Sequence, residues 1–204
     1  MNEGTIEQLS RLDTSHKQQV VQLFVDGFYQ HLSALTPDRR ILCNAFRDAF
    51  VSEQVYVYLL ENRVLGMLAY STQHSSALQL NRRTLQQELG FFKGLMVSFT
   101  LGQKPIPIEA HQAYIEDVVT HQEARGKGIA SQLIQHLIHT LPYTEYTLEV
   151  VDTNTKAVRL YEKLGFVLFK KKKQLLFQKQ VGFNERFYMK KTVQRPVREE
   201  EHPH

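Results

Sequence analysis

The segment Tyr114-Ile115-Glu116-Asp117-Val118-Val119-Thr120-His121-Gln122-Glu123-Ala124-Arg125-Gly126-Lys127-Gly128-Ile129-Ala130 joins two periodicities. Its first seven residues are rich in β-branched and apolar side chains and predict a strand from Tyr114 to Thr120. From Gly128 on, Ile129, Leu133, Ile134, Leu137 and Ile138 recur at helical spacing and predict a helix to Thr140. Peptide N–H groups in the first turn of a helix point outward with partial positive charge, so an anion docks on them where small residues let it approach. Gly126 and Gly128 provide that access, and Arg125 and Lys127 add charge. Two glycines also mark an ordinary strand-to-helix turn, and the segment alone leaves that reading open. A dinucleotide loop requires a further glycine where Ser131 stands, although Glu149 lies at the distance of a ribose-binding acid.

A second segment narrows the choice. Asn154-Thr155-Lys156-Ala157-Val158-Arg159-Leu160-Tyr161-Glu162-Lys163-Leu164-Gly165-Phe166 predicts a helix that starts on a capping Asn154 and ends at Gly165. Ala157, Leu160 and Leu164 face a core, while Tyr161 shares a flank with Ala157 and Asn154. Between the two helices, Tyr146 to Val151 reads as a strand. The resulting strand-helix-strand-helix order implies an α/β fold with a parallel pair across the first crossover.

Upstream, Val20, Leu23, Phe24 and Phe28 predict a helix between His16 and His31. Ile41, Leu42, Ala45, Phe46, Ala49 and Phe50 predict another after Pro37. Val55 to Leu59 and Val64 to Tyr70 alternate about a Glu61-Asn62-Arg63 turn and predict a β-hairpin. Thr72 to Pro107 reads as an insertion or lid with a helix around Arg82 to Phe92. Downstream, strands are predicted near Phe166 to Phe169 and Arg186 to Met189, with Lys170 to Lys173 as an exposed, solvated turn. The domain plan is one domain over 1–192, including the 72–107 insertion, and a disordered tail over 193–204.

Composition bounds the function. The chain has 204 residues, 42% hydrophobic, enough for one sizeable core. No apolar run approaches the roughly 20 residues of a membrane-spanning helix, and the first residues lack a basic region followed by an apolar one. The single cysteine, Cys43, forms neither an internal disulfide nor a thiolate cage and reads as a packing residue, so a cytoplasmic setting is expected. A net charge of +4 is mild; a phosphorylated cofactor accounts for a local basic site, and no nucleic-acid motif or membrane partner is indicated. His136 and His139 lack acidic or cysteine companions, so no metal is expected.

The strand Tyr114 to Thr120, then Arg125-x-x-Gly128-x-Ala130, then Asn154-x-x-Ala157-x-x-Leu160-Tyr161-x-x-x-Gly165-Phe166 resembles the GNAT superfamily of acyl-CoA-dependent N-acyltransferases. The resemblance covers about a quarter of the chain. It implies a mixed central sheet splayed between the fourth and fifth strands, with helices on both faces and coenzyme A as co-substrate. The backbone of Val118, Val119 and Thr120 would pair with the pantetheine arm, and Arg125, Gly126, Lys127, Gly128, Ile129 and Ala130 would hold the pyrophosphate. Asn154 would contact the arm. Gln122 stands where many members carry proline, with little effect expected because the phosphate-binding amides lie further on.

The implied reaction moves an acetyl or other acyl group from acetyl-CoA to a primary amine by direct attack. An ammonium acceptor must first lose a proton, and Glu116 is the candidate base, with Asp117 its rival. Alternation along a strand sends these two side chains to opposite faces. Tyr161 matches the family's donor to the departing sulfur, and a backbone N–H near Val118 or Val119 would stabilise the oxyanion. Phe24, Phe28, Tyr29, Phe91 and Phe92 wall an acceptor pocket or pack the core. The acceptor is a small-molecule or protein amine, and pairing into a homodimer through a sheet edge or the C-terminal strands stays open. The readings in competition are a non-catalytic acyl-CoA-binding regulatory module and a nicotinamide enzyme.

Overall fold

The hairpin forms as its alternation predicts, because Glu61 and Asn62 both adopt positive φ, 50° and 63°, which makes the two-residue turn that suits the twist of paired strands. The computed structural model describes residues 4–91, 93–94, 107–174 and 182–195. Its strands are β1 (Thr5–Gln8), β2 (Val55–Leu60), β3 (Arg63–Ser71), β4 (Gln112–Thr120), β5 (Glu145–Val151), β6 (Val167–Lys173) and β7 (Glu185–Thr192). Its helices are α1 (Thr14–Gly27), α2 (Tyr29–Leu32), α3 (Arg39–Phe46), α4 (Arg82–Leu89), α5 (Ile129–Thr140) and α6 (Thr155–Lys163). The sheet order is β1-β2-β3-β4-β5-β7-β6. Every neighbouring pair is antiparallel except β4 and β5, which α5 connects in parallel.

Both faces of this sheet are covered, which explains why β3 buries every residue after Arg63, and β2 its first three, rather than alternate residues. On one face α1 and α3 pack Val20, Phe24, Leu42 and Phe46 against Val57, Met67 and Ala69. On the other, Ile129, Leu133 and Leu137 of α5 pack against Tyr56, Leu68, Ile115 and Leu148. Fully burying side chains of this size contributes about 1.5–3 kcal/mol each. Arrays on both faces therefore fix β4 at the centre, where the sheet opens.

Several sequence expectations shift. The second predicted helix stops at Phe46, and Phe50 instead bridges Leu78. Lys170 to Lys173 are strand, not turn: they belong to the edge strand β6, where Lys170 and Lys171 lie over the rings of Tyr188 and Phe187. Charged residues on an outermost strand discourage pairing with other chains. The insertion begins as packed structure, since Ala77 and Leu85 are fully buried and α4 packs on α3; residues 95–106 lie outside the described residues. The segment after β7 starts with held residues. The Val193 N–H donates to Thr144 O, and the Arg195 guanidinium donates to the carbonyls of Ile138, Leu141 and Tyr143 at the end of α5; residues 196–204 lie outside the described residues.

Candidate active site at the split in the sheet

β4 and β5 pair only from Gln112↔Glu145 to Ile115↔Leu148. Beyond that point Asp117 to Thr120 pair with β3 alone, and Glu149 to Val151 pair with β7 alone. The expected split between the fourth and fifth strands is therefore present, and the second edge of Val118, Val119 and Thr120 faces the gap. Gly27, the last residue of α1, closes on this half: a Cβ there would lie 2.5 Å from Val119 Cγ1, so only glycine allows the approach.

A short turn, Gln122–Ala124, carries the chain from the gap to α5 and is anchored by buried Ala124 and by the His121 N–H on Leu65 O. Gly126 and Gly128 both have positive φ, 78° and 80°. Gly128 is the N-cap of α5 and offers no side-chain oxygen, whereas Asp13, Asp38, Asn81 and Asn154 cap α1, α3, α4 and α6 with theirs. The opening amides of α5 are thus available to an outside acceptor. They border a groove of about 550 Å³ with Arg125, Gly126 and Ala130 on one wall and Lys156, Leu160 and Lys163 on the other. Arg125 folds its Nε toward Thr120 O at 3.4 Å. Lys127 is exposed and is not part of the groove, and Ile129 borders the groove while burying its side chain in the core.

Lys156 and Lys163 were not singled out from the sequence. With Leu160 they recur at i, i+4 and i+7 on one helix face, and that spacing was the available signal. Asn154 sits differently from its neighbours in the motif. Its Oδ1 accepts from the Ala157 N–H at 3.3 Å, and the residue lines a second groove, of about 390 Å³, beside Phe28, His31, Val151 and Phe183.

Tyr161 is buried on α6 with its ring tilted against Phe166, centroids 5.9 Å apart. Burial first, and the charge of Asp117 second, push its phenol up to about 12, so it holds its proton at neutral pH. Glu116 and Asp117 do not obey the alternation expected of them. Tyr70 faces Ile115 while Ala69 faces Asp117, so the register skips Glu116 and β4 carries a bulge there. Asp117 shares the face of Ala69, on the α1 side, and Glu116 accepts from the hydroxyl of the neighbouring Ser71. Both carboxylates therefore lie on one face. Ser71 is itself fully buried, and its Oγ accepts from the Ala77 N–H at 2.8 Å. Asp117 Oδ2 is buried with no hydrogen-bond partner among the described residues. Burial first and the Glu116 charge second raise the Asp117 carboxyl to about 7.

The remaining candidates are structural. Cys43 donates its thiol to Gln22 Oε1 at 3.2 Å, and burial pushes that thiol up. Phe24 is core, in contact with Phe28, Phe46 and Phe50. Tyr29 lies under the Arg39 guanidinium and donates to Pro37 O. Phe91 is exposed, and Phe92 lies outside the described residues. Glu149, the acid that a nicotinamide site would have used, is ion-paired with Arg186. Among the described residues no three His, Cys, Asp or Glu side chains are grouped to hold a metal, and no helix is long and apolar enough to cross a membrane.

With this geometry in hand, comparison with known proteins is specific. Residues 17–166 match the model described as Acetyltransferase (GNAT) family. The mouse Cysteine-rich protein 2-binding protein is 37% identical over 75 residues, 37% of this chain and 9% of that protein, so the chain spans under a tenth of that relative's length. A Corynebacterium glutamicum structure described as histone acetyltransferase HPA2 and related acetyltransferase superposes with a TM-score of 0.64 at 17% identity, covering 96% of this chain and 99% of that one. The NatC complex solved with Gag peptide and CoA superposes at 0.56 and 15% identity, over 95% of this chain and 100% of that one. At these identities the two structures show a shared fold.

Proposed function

Because the chain belongs to the GNAT acetyltransferase family, we propose that it transfers an acetyl group from acetyl-CoA to a primary amine by direct attack within a ternary complex. The observation that carries this reading is the split between β4 and β5, which leads to the uncapped start of α5 and opens beside Asp117, whose charge acts on Tyr161. A diphosphate fits the groove of Arg125, Gly126, Lys156 and Lys163: its charge meets helix amides and cations, and no side chain of Gly126 or Gly128 stands in the way. From there an extended arm reaches the open edge of Val118, Val119 and Thr120, and Asn154 lies at the far mouth.

Holding thioester and amine in one cleft supplies proximity without a covalent enzyme intermediate, and Cys43 stays outside the reaction. Tyr161 carries its proton at neutral pH and so has one to give to the leaving sulfur as the C–S bond breaks. A backbone N–H near Val118 or Val119 stabilises the oxyanion. The bulged pair Glu116 and Asp117 supplies the basic side of the reaction. A cytoplasmic setting fits a free thiol at Cys43.

The test is a panel of polyamines, amino acids, aminoglycosides and peptides with free N-termini or lysines, each incubated with acetyl-CoA while free thiol is followed. Thiol release that depends on one amine class, with the acyl group recovered on that amine, is expected. Saturable acetyl-CoA binding without transfer to any amine would favour the regulatory-module reading instead.

A further inference from the structure

The bulge at Glu116 does more than tilt a strand. Without it, β4 would put one carboxylate on each face; with it, two lie together at the mouth of the split. Their surroundings differ. Glu116 is clamped by the Ser71 hydroxyl, whose oxygen is fixed in turn by the Ala77 N–H, so its carboxylate is held as a hydrogen-bond acceptor. Asp117 has one buried oxygen with no hydrogen-bond partner among the described residues, lies past the last β4–β5 pair, and is close enough for its charge to act on both Tyr161 and Tyr114.

From this arrangement we propose that Asp117 accepts the proton of the incoming ammonium, while Glu116, held by Ser71, is a positioning residue whose charge acts through Asp117. This assignment rests on the acyl-transfer reading above. The groups bearing on Asp117 are Glu116 and Tyr114 from β4 and Tyr161 from α6; β3 presents Ala69 and Ser71, and α1 brings apolar residues to this face. Beyond Tyr114, Glu149 and Tyr188 add to the negative surroundings.

The step balances. The ammonium gives one proton to the Asp117 carboxylate, and the nitrogen lone pair forms the C–N bond at the thioester carbon. As the C–S bond breaks, its electron pair leaves on sulfur, which takes the Tyr161 proton. Tyr161 regains a proton from the cationic nitrogen of the new amide, and the Asp117 proton passes to solvent. Asp117 works only as a carboxylate, and its carboxyl loses its proton near pH 7, so the rate rises as pH climbs through that range.

The experiment is the pH dependence of kcat/KM for acetyl transfer by wild type, Asp117→Asn and Glu116→Gln, with acetyl-CoA binding to each followed by calorimetry. The wild type is expected to show an acidic limb near 7. Asp117→Asn should lose about 100-fold or more at pH 7.5 and lose the limb, with cofactor affinity retained. Glu116→Gln should keep the limb and move it to lower pH, because removing a neighbouring negative charge makes Asp117 easier to ionise. A limb that survives in Asp117→Asn, or one that vanishes in Glu116→Gln, overturns the assignment. Should Asp117→Asn fail to fold, the direction of the shift in Glu116→Gln decides alone. Absence of transfer by the wild type overturns the acyl-transfer reading and this assignment together, whereas transfer with an unaltered limb overturns only the assignment.

Discussion

Along β4, Gln112–Ile115 are flanked by β5 throughout and joined to β3 at their end, whereas the residues after Glu116 are joined only to β3. The first half buries Ala113 and Ile115 completely or nearly so; the second carries two carboxylates and a run whose backbone faces a gap. One nine-residue strand thus holds the sheet together at one end and opens it at the other. The bulge at Glu116 is the boundary between them. A site built on the open half inherits the rigidity of the closed half, which is what the proposed positioning of a thioester against an amine requires.

This contrast is broken most severely by Ile115→Ala. Removing a fully buried isoleucine should cost about 2–5 kcal/mol in urea unfolding, while Val118→Ala, on the open half and only partly buried, should cost about 1 kcal/mol or less. Equal losses would show that the two halves are not mechanically distinct. Tyr161→Phe tests the proposed acid: turnover should fall about 100-fold with acetyl-CoA affinity kept within about twofold. Normal turnover would remove the phenol from the reaction.

A pH-dependent effect should appear in stability. Folded Asp117 holds its proton up to about pH 7, while an unfolded aspartate loses it near about 3.9. Between those values the folded state binds more protons, so wild-type stability falls as pH rises and levels off above the folded value. Asp117→Asn removes that slope. Denaturation at pH 4 and pH 8 should therefore show the variant gaining on wild type at the higher pH; an equal difference at both would contradict a buried, proton-holding Asp117.

How much of this was legible in the sequence follows the same boundary. Periodicity placed α5, α6, β4 and the hairpin, because each has a long apolar pattern and a physical start or stop: Gly128, Asn154, Gly165 and the positive-φ Glu61-Asn62 turn. The split sheet was expected from the family resemblance that the two motifs carry. The bulge was not legible, since strict alternation is all that a strand pattern encodes, and a skipped residue is fixed by pairing with Ala69 and Tyr70 some 45 positions away. β1 was missed because four residues, none fully buried, carry too little pattern. β6 was half read: its lysines look like a turn, yet an edge strand with an exposed surface tolerates them. Asn154 was correctly seen as a cap, its side-chain oxygen accepting from the Ala157 N–H.

The central claim, that the open half of β4 and the start of α5 form a coenzyme A site, is tested most directly by isothermal titration of acetyl-CoA into the wild-type chain and into Gly128→Val. A saturable heat with one site per chain is predicted. The affinity should weaken at least about tenfold in the variant, whose branched side chain must adopt φ near 80° and crowd the helix amides. No heat with the wild type, or equal binding by both proteins, would contradict it.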